Sequence, residues 1–212
     1  MIVAVVLAAG AGSRIGTNKA LLRLGRVTFL DRIVRTARRA GVARIVVVVG
    51  HQADEVKRAA PSGAYVVILE NPRPERGQLS SLQIALATLA DARAILAWPV
   101  DHPLVTPTTV ERLLRVSAEE PAKIIVPCYG GRGGHPTLFP RGVFEHLLAL
   151  SPDQGARELF ASDPERRLRL AVNDPGVRAD IDTPADYERW CAINIAPPVG
   201  RRRRSRVGLH VN

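Results

Sequence analysis

Two kinds of apolar pattern alternate along the chain. Residues 2–7, 44–49, 64–69, 95–100 and 123–128 are short runs rich in Val and Ile at consecutive positions. A strand that is apolar on both faces belongs inside a sheet covered on both sides, so these runs predict buried parallel strands. Between them the apolar residues recur at helical spacing. In residues 29–40 they are Phe29, Leu30, Ile33, Val34 and Ala37, and Gly41 supplies the stop. Residues 52–60, 80–90 and 106–118 read the same way. This β-α alternation predicts an α/β fold, a single three-layer α/β/α domain around a mostly parallel, doubly wound sheet. Ligands of such sheets bind beyond the carboxyl ends of the strands. The glycine-rich segment after the first run, Gly50-His51, residues 70–81 and Asp101 all follow strands, and are therefore expected on one edge.

The later chain is less regular. Residues 129–134 read as a glycine-rich turn leading into His135-Pro136-Thr137-Leu138-Phe139, to which the pattern assigns no element. Helices are predicted near residues 141–150 and 155–162, and a strand near 168–172. A last helix runs from Pro184 to about Cys191, capped by Asp182 or Thr183. Residues 1–196 form one domain, and residues 197–212 are read as a basic, disordered tail.

Composition narrows the function classes. The net charge of +10 falls by five, to +5, when the tail arginines 201–204 and 206 are set aside. A solvated tail accounts for much of the charge, and a modestly basic body suits phosphorylated substrates. Aromatics make up only 4% of the chain, too few to interleave a nucleic-acid stacking platform, so no specific nucleic acid is expected. No apolar run reaches 18 residues, and the start lacks the basic region of a signal peptide. The two cysteines, Cys128 and Cys191, make no disulfide or zinc framework. The expected compartment is the cytoplasm, with no membrane partner.

The chemistry is concentrated in Leu7-Ala8-Ala9-Gly10-Ala11-Gly12-Ser13-Arg14-Ile15-Gly16-Thr17-Asn18-Lys19. Glycines after a strand let backbone N–H groups approach a ligand, and Arg14 and Lys19 add two cations, which suits a polyphosphate. A dinucleotide fingerprint would need glycine where Ile15 stands and an acid after the second strand, where Gly50-His51-Gln52 follows instead. A P-loop would need lysine directly after Gly16. A third pattern, L-A-[AG]-G-x-G-x-R-x-G-x-x-K, is met at every fixed position.

On that motif the chain resembles the nucleotidyltransferases that activate phosphorylated metabolites with an NTP, in the branch holding the molybdenum-cofactor cytidylyl- and guanylyltransferases. Gly77 with Ser81-Leu82, Gly134-His135-Pro136, Gly155-Ala156-Arg157 and Asp182-Thr183-Pro184 extend the likeness from about Val3 to Trp190. The resemblance implies a Rossmann-like domain of the nucleotide-diphospho-sugar transferase type. It implies Mg²⁺ held by Asp101 and Asp182, with Arg14, Lys19 and Asp101 as the catalytic set. Nucleotide contacts would come from Leu7, Ala8, Ala9, Gly10, Gly12, Ser13, Arg14 and Lys19, and from Gln78, Ser80 and Ser81 near the base. L-A-A-G favours a pyrimidine, so CTP or UTP is expected over GTP. His102 and His135 are the candidate acceptor contacts. Val100-Asp101-His102-Pro103 replaces the branch's usual G-D-Q-P, which bears on the acceptor.

No protein nucleophile is needed, because the acceptor's own phosphate attacks the α-phosphorus. Molybdopterin leads as acceptor, with a molybdoenzyme or chaperone as a further partner. A sugar 1-phosphate or a methylerythritol-phosphate-type alcohol phosphate is the alternative. A non-catalytic nucleotide-binding regulator or molybdenum cofactor chaperone is the reading from another class, and the intact Arg14, Lys19, Asp101 and Asp182 count against it.

Overall fold

The computed structural model describes residues 1–10, 15–61, 63–153, 155, 156 and 158–195. Its strands are β1 (Ile2–Ala8), β2 (Arg23–Leu24), β3 (Val27–Thr28), β4 (Arg44–Val49), β5 (Val66–Glu70), β6 (Ala94–Pro99), β7 (Ile124–Tyr129), β8 (Arg132–Gly133), β9 (Thr137–Pro140) and β10 (Arg167–Ala171). Its α-helices are α1 (Phe29–Arg39), α2 (Ala53–Ala59), α3 (Gln78–Ala87), α4 (Pro107–Glu119), α5 (Phe144–Ala149), α6 (Glu158–Ser162) and α7 (Pro184–Ile195).

The main sheet runs β10-β7-β9-β6-β1-β4-β5, with β8 paired to β7. β1 lies parallel between β4 and β6, with Val5 opposite Val46 on one side and Ala97 on the other. β5 extends the parallel part beyond β4, and β10 pairs parallel to β7. Alternate residues of β1 enter opposite cores. Ala4, Val6 and Ala8 face α1, α2 and α4, whereas Val3, Val5 and Leu7 face α3 and α5. Both faces of every central strand are thus buried, which is why their sequences run apolar without alternation. The three-layer, mostly parallel architecture is the one the sequence predicts.

Two features depart from the pattern reading. β9 joins the sheet antiparallel between β6 and β7, with Ile95 opposite Phe139 and Ile125 opposite Leu138. Its four residues are too short to carry a period, and its strand character comes from partners on both sides. β2 and β3 form a hairpin turned at Gly25 (φ +66°), pinned to α7 by Tyr187 Oη donating to Arg23 O at 2.7 Å. Residues 197–212, read from sequence as a tail, lie outside the described residues.

β1 is the switch point of the winding. The chain leaves it toward β4 and β5 on one side, then returns to β6 on the other. A crevice therefore opens beyond the carboxyl ends of β1 and β6.

Candidate active site

Three loops meet at that crevice. The first follows β1. Gly10 lies at its opening, and Gly12, Ser13 and Arg14 lie outside the described residues. The loop re-enters at Asn18, which is 2% exposed. Asn18 Oδ1 accepts from Ala20 N at 3.0 Å, capping a single 3₁₀ turn over Lys19–Leu21. Its Nδ2 donates to His51 O at 3.1 Å, so the turn is tied to the end of β4. Lys19 is thereby fixed at the turn's start. Gly50 permits the close approach of β4's end to the first loop. A Cβ there would lie 2.7 Å from Ala9 O and 2.9 Å from Pro74 Cβ.

The second loop follows β6. Val100 N donates to Leu7 O, and Trp98 Nε1 to His102 O at 2.9 Å. These bonds hold Asp101 over the end of β1. The third precedes α7, and Ile181 N donates to Asp101 O at 3.0 Å. Thr183 caps α7. Its Oγ1 accepts from Asp186 N at 3.2 Å, and Thr183 N donates to Asp186 Oδ2 at 3.0 Å. Of the two capping candidates, Thr183 takes the role and the Asp182 carboxylate is turned to Lys19.

Lys19, Asp101 and Asp182, far apart in sequence, come together here. Lys19 Nζ lies 3.5 Å from Asp101 Oδ2 and donates a short hydrogen bond to Asp182 Oδ1. Asp101 Oδ1 is buried and has no hydrogen-bond partner among the described residues. His102 Nε2 stands 3.7 Å from that oxygen. Burial pushes the His102 imidazole below its ordinary pKa, while Asp101, Asp180 and Asp182 pull it upward.

A cavity of about 290 Å³ lies over this cluster, lined by Leu7, Ala9, Gly10, Lys19, Gln78, Ser81, Asp101 and Asp182 among others. Ala8 is buried in β1 and Ser80 is turned away. Gly77 (φ +91°), not Ser80, precedes the first turn of α3. Ser80 Oγ donates to Gly77 O at 2.7 Å and accepts from Asn71 Nδ2 at 2.9 Å. The other Asn71 amide hydrogen reaches Ser81 Oγ, also at 2.9 Å. Asn71, 3% exposed, thus clamps the α3 turn to the end of β5. A larger cavity of about 1230 Å³ adjoins the first and shares Leu7, Gly77 and Gln78 with it. His102 and His135 line it, their ring centroids 4.8 Å apart.

The donor set suits a hard divalent cation: two carboxylates, one with a buried oxygen that no described group uses. Among the described residues no group of three or more His, Cys, Asp or Glu could hold a metal. Two protein carboxylates fit Mg²⁺, which usually completes its shell with phosphate oxygens and water. No helix among the described residues is long and apolar enough to cross a membrane.

Sequence reasoning missed Asn18 and Asn71, which tie the loops to the ends of β4 and β5. Asn18 sits at an unconstrained place in the glycine motif, immediately before its lysine, and Asx capping of the following turn was the available signal.

Comparison with known proteins bears on the family and the fold. The family model for the MobA-like NTP transferase domain matches residues 4–168. The molybdenum cofactor cytidylyltransferase of Escherichia coli (strain K12) is 24% identical over 194 residues, 89% of this chain and 97% of that protein. The nicotine blue oxidoreductase of Paenarthrobacter nicotinovorans is 30% identical over 188 residues, 84% and 91% of the two chains. The bifunctional IPC transferase and DIPP synthase of Rubrobacter xylanophilus is 40% identical over 136 residues; the match takes 61% of this chain and only 30% of that protein. Among solved structures, Rv0371c of Mycobacterium tuberculosis H37Rv is 36% identical with a TM-score of 0.76, covering 90% of this chain and 97% of that one. Rv0371c has also been solved in complex with manganese.

Proposed function

Because the chain belongs to the MobA-like NTP transferase family and is a nucleotidyltransferase, we propose that it transfers a nucleoside monophosphate, CMP in preference, from an NTP to a phosphorylated acceptor. Molybdopterin is the leading acceptor, Mg²⁺ the metal and pyrophosphate the second product. The observation that carries the reading is Lys19 touching both Asp101 and Asp182 at the mouth of the 290 Å³ cavity. A cation and two hard-oxygen acids at a strand switch point serve phosphoryl-type transfer, which is mainly positioning and charge neutralisation. The manganese complex of Rv0371c and the name of the E. coli relative support the metal and the pyrimidine nucleotide.

An acceptor phosphate oxygen attacks the α-phosphorus, the bond from that phosphorus to the bridging oxygen breaks, and pyrophosphate leaves with the electron pair. Asp101 and Asp182 would hold the divalent ion, which when bound neutralises charge on the phosphate oxygens. Lys19, with Arg14, neutralises the departing pyrophosphate. Ala9, Gly77 and Ser81 form the wall against which the nucleoside packs. His102 and His135 lie on the acceptor side, in the larger cavity.

The test is pyrophosphate release with each NTP against a panel of phosphorylated acceptors, with mass spectrometry of the adduct. The reading requires pyrophosphate in step with a nucleotidylated acceptor, abolished by chelation. An NTP-independent redox reaction, as the name of the P. nicotinovorans relative would suggest, overturns it.

A further inference from the structure

Asp174 is a buried carboxylate, 4% exposed, outside the chemistry proposed above. It is satisfied by uncharged donors. Its Oδ2 accepts from Thr106 N at 2.9 Å, Thr106 Oγ1 at 2.8 Å and Thr109 Oγ1 at 2.6 Å. Its Oδ1 accepts from Gly176 N at 2.9 Å. Thr106 precedes α4, whose N-terminus favours a carboxylate. Gly176 lies on the carbonyl of Leu104, where a Cβ would come within 2.3 Å of the oxygen. The segment around residue 174 is therefore clamped onto the loop that carries Asp101.

The same two loops are joined again further on, where Ile181 N donates to Asp101 O at 3.0 Å. That second bond lies beside both members of the acid pair. With both ends fastened, the loop from residue 174 to 182 has little freedom, and the position of Asp182 relative to Asp101 is set. We propose that Asp174 is a positioning residue for the Asp101–Asp182 pair, holding the two carboxylates at the separation that a divalent cation requires. The proposal rests on the reading of these acids as metal ligands.

Asparagine is a sharp probe at this position. It keeps the volume, yet either amide orientation turns an NH₂ toward a backbone N–H, of Gly176 or of Thr106. One fastening must fail while the packing survives. Thr109→Val removes one donor and leaves Thr106 at the start of α4.

The experiment uses the full chain. Mn²⁺ binding is followed by electron paramagnetic resonance without nucleotide, and the Ile181 amide by hydrogen exchange. Losing a residue that orients metal ligands weakens metal binding by about 10–100-fold. Asp174→Asn should therefore raise the Mn²⁺ Kd at least about tenfold and speed Ile181 exchange, with β1 amides unchanged. Thr109→Val should move both in the same direction by less, and it decides the matter if Asp174→Asn does not fold. Wild-type Mn²⁺ binding and Ile181 protection in the folded variants, even with lowered Tm, would overturn the proposal alone. A wild-type chain that binds no Mn²⁺ overturns the metal reading and the proposal with it.

Discussion

Replacing Lys19 with methionine should move metal binding and turnover in opposite directions. Lys19 Nζ stands 3.5 Å from Asp101 Oδ2 and is also bonded to Asp182. At an effective dielectric constant of 20, one such contact is worth about 5 kcal/mol before solvation is considered. The lysine and the two acids keep 17%, 24% and 31% of their side-chain surface in solvent, so screening and desolvation take most of that away. A net effect of about 1–2 kcal/mol is reasonable. Lys19→Met removes the cation that touches both carboxylates. Metal-free protein should lose thermal stability, and Mn²⁺ should restore it by binding the folded state. The Mn²⁺ Kd should fall by about 5- to 30-fold, at 1.4 kcal/mol per factor of ten. Turnover should drop nonetheless. Loss of one preorganised charge donor costs about 2.7–4 kcal/mol of transition-state stabilisation, roughly 10²–10³ in kcat. The assays are an Mn²⁺ titration by electron paramagnetic resonance and pyrophosphate release at saturating metal. Wild-type kcat would refute the catalytic role. Weaker Mn²⁺ binding would show that Lys19 organises the acids instead of competing with the cation.

Three further outcomes follow from the same geometry. Gly134→Ala would put a Cβ 2.0 Å from Val177 O, beside the bond from His135 N to that oxygen; the variant should lose about 1–3 kcal/mol by chemical denaturation and raise the acceptor KM more than the NTP KM. Ala9→Gly should shift kcat/KM partway from CTP toward GTP, because Ala9 lines the smaller cavity and one methyl gives only about 1–3 kcal/mol of discrimination; equal use of CTP and GTP by the wild type would refute a role for Ala9 in base choice. Removing residues 201–212, which carry five arginines, should leave Tm and nucleotide transfer unchanged, and a lower Tm would show that the segment packs on the domain.

What the sequence disclosed was governed by how local its cause was. The Val and Ile runs of β1 and β4 are legible because burial on both faces is written into consecutive residues. β9 is not, since Thr137–Pro140 is a strand only through β6 and β7. Lys19, Asp101 and Asp182 were accessible because each lies at a fixed place in a short motif. Asn18 and Asp174 have local turn bonds that a sequence can suggest, but their bonds to residues 33 and 65–68 positions away are encoded by no local pattern. Ser80 illustrates the limit from the other side. A serine near a helix start reads as a cap, but the helix begins earlier, at Gln78 after a left-handed Gly77, and the hydroxyl is spent on Gly77 and Asn71.

The two cavities are built on different foundations, and this bears on how acceptor choice can vary. The smaller one stands on the ends of β1 and β6, whose residues are buried on both faces and constrained by two cores. Shifting Asp101 would require moving those strands, which close packing makes costly, and Lys19 is tied through Asn18 to the end of β4. The larger cavity takes much of its wall from the β8–β9 segment and from Pro152, Asp153, Gly155, Ala156 and Phe160, between α5 and β10. Several of its side chains, Arg76, Asp153 and Arg178 among them, are exposed and carry no core packing. Substitutions there leave the charge cluster untouched. Leu7, Gly77 and Gln78 border both cavities, so on the proposed reading an acceptor bound in the larger one would reach the nucleotide phosphates across that seam. On that reading one catalytic half would serve any acceptor that presents its phosphate at Leu7 and Gln78.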